Sequence, residues 1–162
     1  MKERNSMDKY EVEVQVTLQS GTYWLGDPCY IIKDEDWTPW LEACNFTKQD
    51  TLIGQVPGKE IKAVGFRTAH GDGMYEFEGH NTRSMKYDEW DTLAELGVDS
   101  GMIGFVESVG TNPQEGTENM VKKVTFEHPV TITAREGNLS WITSRGEEFR
   151  VKTDEQDEWG DW

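Results

Sequence analysis

Apolar and polar residues alternate with a period of two along much of this chain. In residues 10–18, Tyr10, Val12, Val14, Val16 and Leu18 interleave with Glu11, Glu13, Gln15 and Thr17, giving one apolar and one solvated face. That pattern predicts a β-strand. Gln19-Ser20-Gly21 supplies a turn, residues 22–25 begin a second strand, and Gly26-Asp27-Pro28 stops it. Beyond this corner, residues 29–32 read as a short extended apolar run. Residues 51–56 form another apolar segment ended by Pro57-Gly58. Residues 60–69 and 74–79 flank His70-Gly71-Asp72-Gly73, a glycine-bearing connection that predicts a hairpin. A strand is expected over 102–109, then a loop over 110–119 that is rich in Gly, Pro, Asn and Glu. Segments 121–126, 130–134, 139–143 and 148–152, separated by turns, predict a closing meander. No internal repeat is evident.

The period changes twice. Asp36 is placed to cap a helix near residues 36–45, with Pro39 in its first turn and Trp37, Trp40, Leu41 and Cys44 on one face. From Asp88, the spacing of Trp90, Leu93, Ala94 and a terminating Gly97 predicts a second short helix near 88–96, with Glu89 and Asp91 at its positive end. The fold class is therefore α+β, mainly β: an antiparallel barrel or sandwich carrying two short helices. Residues 1–9 are expected to be a flexible lead-in, 10–153 a single globular domain, and 154–162 a disordered acidic tail.

Composition adds a reason the core can form. A chain of 162 residues is long enough to bury a core without disulfides or metal. Its hydrophobic fraction is only 35%, but seven Trp, six Phe and five Tyr remove much surface from water. No apolar run is long enough to span a membrane, and no secretory leader opens the chain. With Cys29 and Cys44 the two cysteines, a reducing cytoplasm, that of a bacterial host, is the expected setting.

Charge narrows the partners. The formal net charge is -15, from 31 Asp and Glu against 16 Lys and Arg. Such a field repels phosphate backbones and anionic bilayers, which argues against duplex DNA and against membranes. It suits high solubility, a basic protein partner, or imitation of nucleic-acid charge.

Three loops share one recipe, a carboxylate beside glycine at a strand end: Gly26-Asp27-Pro28-Cys29-Tyr30, His70-Gly71-Asp72-Gly73-Met74-Tyr75 and Val98-Asp99-Ser100-Gly101. Gathered at one end of a sheet, they would offer Asp27, Tyr30, His70, Asp72, Tyr75, Asp99 and Ser100 as a ligand-binding set. Taken singly, each loop is also what tight-turn chemistry favours. A cysteine hydrolase would use Cys29 as nucleophile, His70 as base and Asp72 or Asp99 to orient it. An acidic protein and an apolar run after Cys29 raise a thiol pKa, which weakens that reading. The loop aspartates also suit a hard cation, yet no dense metal-binding motif is present. The spacing of His70, His80 and His128 with the two cysteines fits no zinc site. No cofactor is expected.

The motifs Gly26-Asp27-Pro28-Cys29-Tyr30, Gly71-Asp72-Gly73-Met74-Tyr75 and Val98-Asp99-Ser100-Gly101 together resemble a pattern in small uncharacterised proteins of bacteriophages and bacteria. The resemblance implies a phage-type accessory protein that binds, inhibits or sequesters a host component or a small ligand, without enzymatic activity. The tail resembles, separately, the acidic aromatic-ended tails of single-stranded-DNA-binding proteins. Its Trp159 and Trp162 are then partner-binding residues of an acidic-tailed, DNA-associated or DNA-mimic protein. The body carries no basic stripe to track a nucleic-acid backbone: outside the tail its net charge is still about -10.

Overall fold

The alternating segments pair into eleven strands among the residues that the structure, a computed structural model, describes: 13–86 and 88–154. In chain order these are β1 (Val14–Leu18), β2 (Gly21–Gly26), helix α1 (Asp34–Ala43), β3 (Thr51–Gln55), β4 (Lys62–Arg67), β5 (Gly73–His80) and β6 (Trp90–Val98). They continue as β7 (Met102–Glu107), β8 (Lys122–Phe126), β9 (Val130–Arg135), β10 (Asn138–Ile142) and β11 (Glu148–Val151). The predicted lead-in at 1–9 and the tail residues Trp159 and Trp162 lie outside the described residues.

Two antiparallel sheets face each other as a sandwich. One has the order β1-β9-β10-β11-β5-β6 and the other β3-β4-β7-β2-β8. Tyr23, Leu25, Val64, Phe66, Ile103 and Phe105 of the five-stranded sheet meet Phe77, Leu96, Ile132, Leu139 and Trp141 of the six-stranded one in the main core. Phe105 and Trp141 pack edge to face at 5.4 Å.

The five-stranded sheet is covered on its outer face as well. Helix α1 and the segment before it bury Ile31, Ile32, Trp40 and Cys44 against Leu52, Ala63, Met102 and Val106 in a second core. This two-sided burial explains why Met102–Val106 of β7 is buried without a break. It needs room, and a row of glycines provides it: Gly26 pairs with Gly104 and Gly104 with Gly65, in register across β2, β7 and β4. A methyl group on Gly65 would crowd the Met102 sulfur, and one on Gly104 would overlap the Val64 carbonyl. The outer face of the six-stranded sheet is polar by contrast, with Arg150 ion-paired to Glu78 at 2.7 Å and set over the Trp90 ring.

The sandwich, the meander and the first helix agree with the periodicities of the sequence, and four local expectations do not. The stretch expected to be a helix near 88–96 belongs instead to strand β6 (Trp90–Val98). Phe77 pairs with Ala94 but Glu78 with Thr92, so Leu93 is an unpaired bulge. The extra residue breaks the period of two and produces the three- and four-residue spacing of a helix face. The connection at 68–72 is not a hairpin, because β4 pairs with β3 and β7 whereas β5 pairs with β6 and β11. It carries the chain from one sheet to the other. Residues Pro28–Tyr30 wind into a 3-10 turn rather than entering a strand. Helix α1 starts two residues before Asp36, with Asp34, Glu35 and Asp36 all in its first turn, so Pro39 lies inside it. Asp36 does not cap the helix; its carboxylate holds Lys59 at 2.8 Å.

Candidate functional site

The topology brings the three aspartate loops to one end of the sandwich. Strands β2 and β4 run toward the end from which β7 departs, since both pair antiparallel with it. Gly73, which begins β5, pairs with Val98, which ends β6. The corners at 26–30, 68–72 and 99–101 therefore share that end, and two of them are crossings between the sheets. Thr68 N–H donates to the Gly101 carbonyl at 3.0 Å and joins two of the corners directly.

Asp27 is the centre of this end, and it is wholly buried. Its Oδ1 accepts from the Cys29 backbone N–H at 2.9 Å and the Ser100 hydroxyl at 2.7 Å. Its Oδ2 accepts from the backbone N–H groups of Asp99 at 2.7 Å and Ser100 at 2.6 Å. Four donors for one carboxylate make it a fully satisfied buried anion that ties the end of β2 to the β6–β7 corner. Such a group has no free lone pair aimed at solvent, so Asp27 builds the site without lining it.

Cys29 belongs to the same knot. Burial, the charge of Asp27, a hydrogen bond to Asp27 and the charge of Asp99 hold its thiol far above the ordinary range, against a small opposing effect of Ser100. A thiol held neutral is a poor nucleophile, and His70 does not assist it: its Nε2 donates to the Asp154 carbonyl at 2.9 Å. Cys44 is buried under the helix, and burial pushes its thiol up to about 11.

Tyr75 is also interior. It is 2% exposed, and its hydroxyl donates to the Gly71 carbonyl at 2.9 Å, which braces the 68–72 corner from inside. His70, Asp72 and Asp99 are exposed, and Ser100 and Tyr30 are half-buried.

What remains open to solvent is a shallow groove of about 480 Å³ between the knot and helix α1, lined by Cys29, Tyr30, Asp34, Trp37, Asp99 and Ser100, with Gln114 and Thr117 closing one side. Gln114 is fixed by its Nε2, which donates to the carbonyls of Cys29 at 2.6 Å and Ile32 at 3.0 Å. The loop expected over 110–119 is largely exposed, and through Gln114 and Thr117 it also forms a wall of the groove. The phenol of Tyr30 is pushed up to about 12, by burial first, then by the charges of Asp99, Cys29, Asp27 and Asp72. His70 and Asp72 of the 68–72 corner, and Tyr75 beyond it, do not line the groove.

Sequence reasoning found Tyr30, Asp99 and Ser100 of this groove but missed Asp34, Trp37, Gln114 and Thr117. Trp37 shares with buried Trp40, 5.5 Å away, the face of α1 that packs on the second core, but it is only half-buried and also lines the groove. Among the described residues, no group of three or more His, Cys, Asp or Glu could hold a metal ion, and no helix is long and apolar enough to cross a membrane. Two aromatic side chains and two carboxylates lining one groove suit a cation that carries an apolar stem. No protein-family model matches the chain, and no curated protein or solved structure is significantly similar to it.

Proposed function

We propose that this protein is a non-enzymatic binding protein that captures a cationic side chain of a partner in the groove beside the Asp27 knot. The observation that carries the reading is the pairing, around one groove, of the Tyr30 and Trp37 rings with the carboxylates of Asp34 and Asp99. An arginine or lysine laid there gains contact with both rings, and its charge is met by the exposed carboxylates of Asp34 and Asp99. The net charge of -15 draws a basic partner toward this end over about a Debye length. The neutral Cys29 thiol weighs against the hydrolase reading. Inhibition or sequestration of a host component is the role that the phage resemblance implies for such capture. The protein is expected to work in the cytoplasm, with no cofactor and no duplex DNA.

Titration with a short arginine-containing peptide, followed by tryptophan fluorescence, tests this. Trp37→Ala should weaken binding about tenfold, the loss of one good cation–π contact. Asp99→Asn should weaken it severalfold, less at high salt than at low. Equal affinity for the unsubstituted protein and both variants would sink the proposal.

A further inference from the structure

The side of the sandwich formed by β1 and β3 is left incomplete. On the inner face of the five-stranded sheet, Phe105 pairs with Val64 and Val64 with Ile53, an apolar row from the centre to the edge. Exposure along that row rises from 0% at Phe105 to 5% at Val64 and 56% at Ile53. Among the described residues the six-stranded sheet ends at β1, beside the cleft. The gap is a cleft of about 420 Å³, whose walls include Val16, Leu18, Tyr23, Ile53, Val64 and Phe105. It opens near Gln19 and the β3–β4 turn, at the end of the sandwich opposite the aspartate corners.

Beside this cleft, β1 pairs with β9 on one side and, among the described residues, has no strand on the other. Edge strands in proteins are commonly blunted by charges, proline or bulges, because their unpaired N–H and C=O groups invite another strand. The other two edges follow that practice: β6 carries Asp91, Glu95 and the Leu93 bulge, and β8 carries Lys122 and Lys123. The edges at the cleft do not, since β1 reads Val-Gln-Val-Thr-Leu and β3 reads Thr-Leu-Ile-Gly-Gln, without a charge or a proline.

We infer that an extended segment of a cationic partner adds to β1 as a seventh strand of the six-stranded sheet, with its alternate apolar side chains filling the cleft over Ile53. Main-chain hydrogen bonds to β1 provide the docking, and the cleft selects apolar residues at every second position. The sign of the partner follows from the charge on this chain. A second copy would bring -15 against -15, whereas a strand alternating apolar residues with Lys or Arg meets a body of opposite sign. The inference does not rest on the groove at the aspartate end.

The test uses the full chain with Trp37→Ala, so that capture in the groove is weakened, and what remains of it is common to two peptides of equal charge and cancels between them. The probe is a nine-residue peptide alternating Lys and Val. Its control has the same charge with proline in place of alternate valines, which removes strand pairing. The alternating peptide should bind at least about tenfold more tightly than the control and slow amide exchange in Val14–Leu18 by a similar factor. Ile53→Gln, a change at an exposed position that leaves the net charge alone, should weaken the alternating peptide severalfold and leave the control unaffected. Equal binding of the two peptides without protection of β1 would reduce the effect to charge alone and overturn the proposal. A peptide-free dimer by sedimentation that Ile53→Gln dissociates would overturn it too, by making a second copy the occupant.

Discussion

Asp27 and Asp99 come from the same kind of corner, a carboxylate beside a strand end and near a glycine, and they do opposite things. Asp27 is wholly buried and holds four donors from two separate segments. Asp99 contributes its backbone N–H to that knot and leaves its carboxylate exposed at the groove. The difference lies in what surrounds each loop. The 3-10 turn and the β6–β7 corner enclose Asp27, and a carboxylate is tolerated in the interior there because both of its oxygens are hydrogen-bonded. Nothing closes over Asp99. One sequence recipe thus yields a structural pin at one corner and an open charge at its neighbour, and burial decides which.

The sharpest way to break that comparison is substitution at each aspartate. Asp27→Ala leaves three backbone N–H groups and a hydroxyl without their acceptor, and should cost about 4 kcal/mol in urea unfolding. Asp27→Asn keeps one acceptor oxygen but points an amide donor at other donors, and should cost about 2 kcal/mol. Asp99→Ala should change stability by less than about 0.5 kcal/mol. Equal losses at the two positions would erase the distinction between pin and open charge.

The 68–72 corner is braced from the C-terminal side, where an intermediate effect is expected. Thr153 is fully buried; its hydroxyl accepts from the Ala69 N–H at 2.9 Å and its N–H donates to Asn138 Oδ1 at 2.7 Å. A chain ending at Lys152 should lose about 2 kcal/mol, from these bonds and from the void left behind. A chain ending at Asp154 should keep its stability within about 0.5 kcal/mol while discarding Trp159 and Trp162. The second truncation is the clean way to ask whether the tail binds anything, because the first also loosens the corner that carries His70 and Asp72.

How much of this was legible follows from where each signal resides. The period of two places most strands within a few residues, because alternation is a local property and the two-faced sheets preserve it. It fails at 88–96, where one bulged leucine shifts the phase. The pairing of β4 with β7 and of β5 with β6 is not local, so a glycine-rich connection between two strands looked like a hairpin and proved to be a crossing. The three corners were legible as turns, and their gathering at one end was the condition set for a site. Their roles were not legible. Whether an aspartate is pinned or free depends on groups 72 and 73 positions away in the chain, the Asp99 and Ser100 donors. Trp37 was missed for a related reason: a helix periodicity names a face but does not say where the sheet beneath it ends.

The smallest effect concerns Tyr30, and it reads the electrostatics of the groove directly. Its phenol is pushed up from 10.0 to about 12, by burial first and then by the neighbouring charges, with Asp99 foremost. The folded protein therefore holds this proton more tightly than the unfolded chain does. The resulting contribution to stability is fully present below pH 10 and is lost as the pH rises from about 10 to about 12. Tyr23, raised by burial and by Glu107, titrates in the same direction, so the unsubstituted protein alone does not isolate Tyr30. Tyr30→Phe does: the difference between its phenolate absorbance curve and that of the parent gives the Tyr30 titration. Asp99→Asn should then move that titration down toward 10, and Asp72→Asn should move it less, in the order in which their charges act on the phenol. If both substitutions leave the curve in place, the open carboxylates do not face the tyrosine, and the contrast between the pinned aspartate and the free ones loses its functional half.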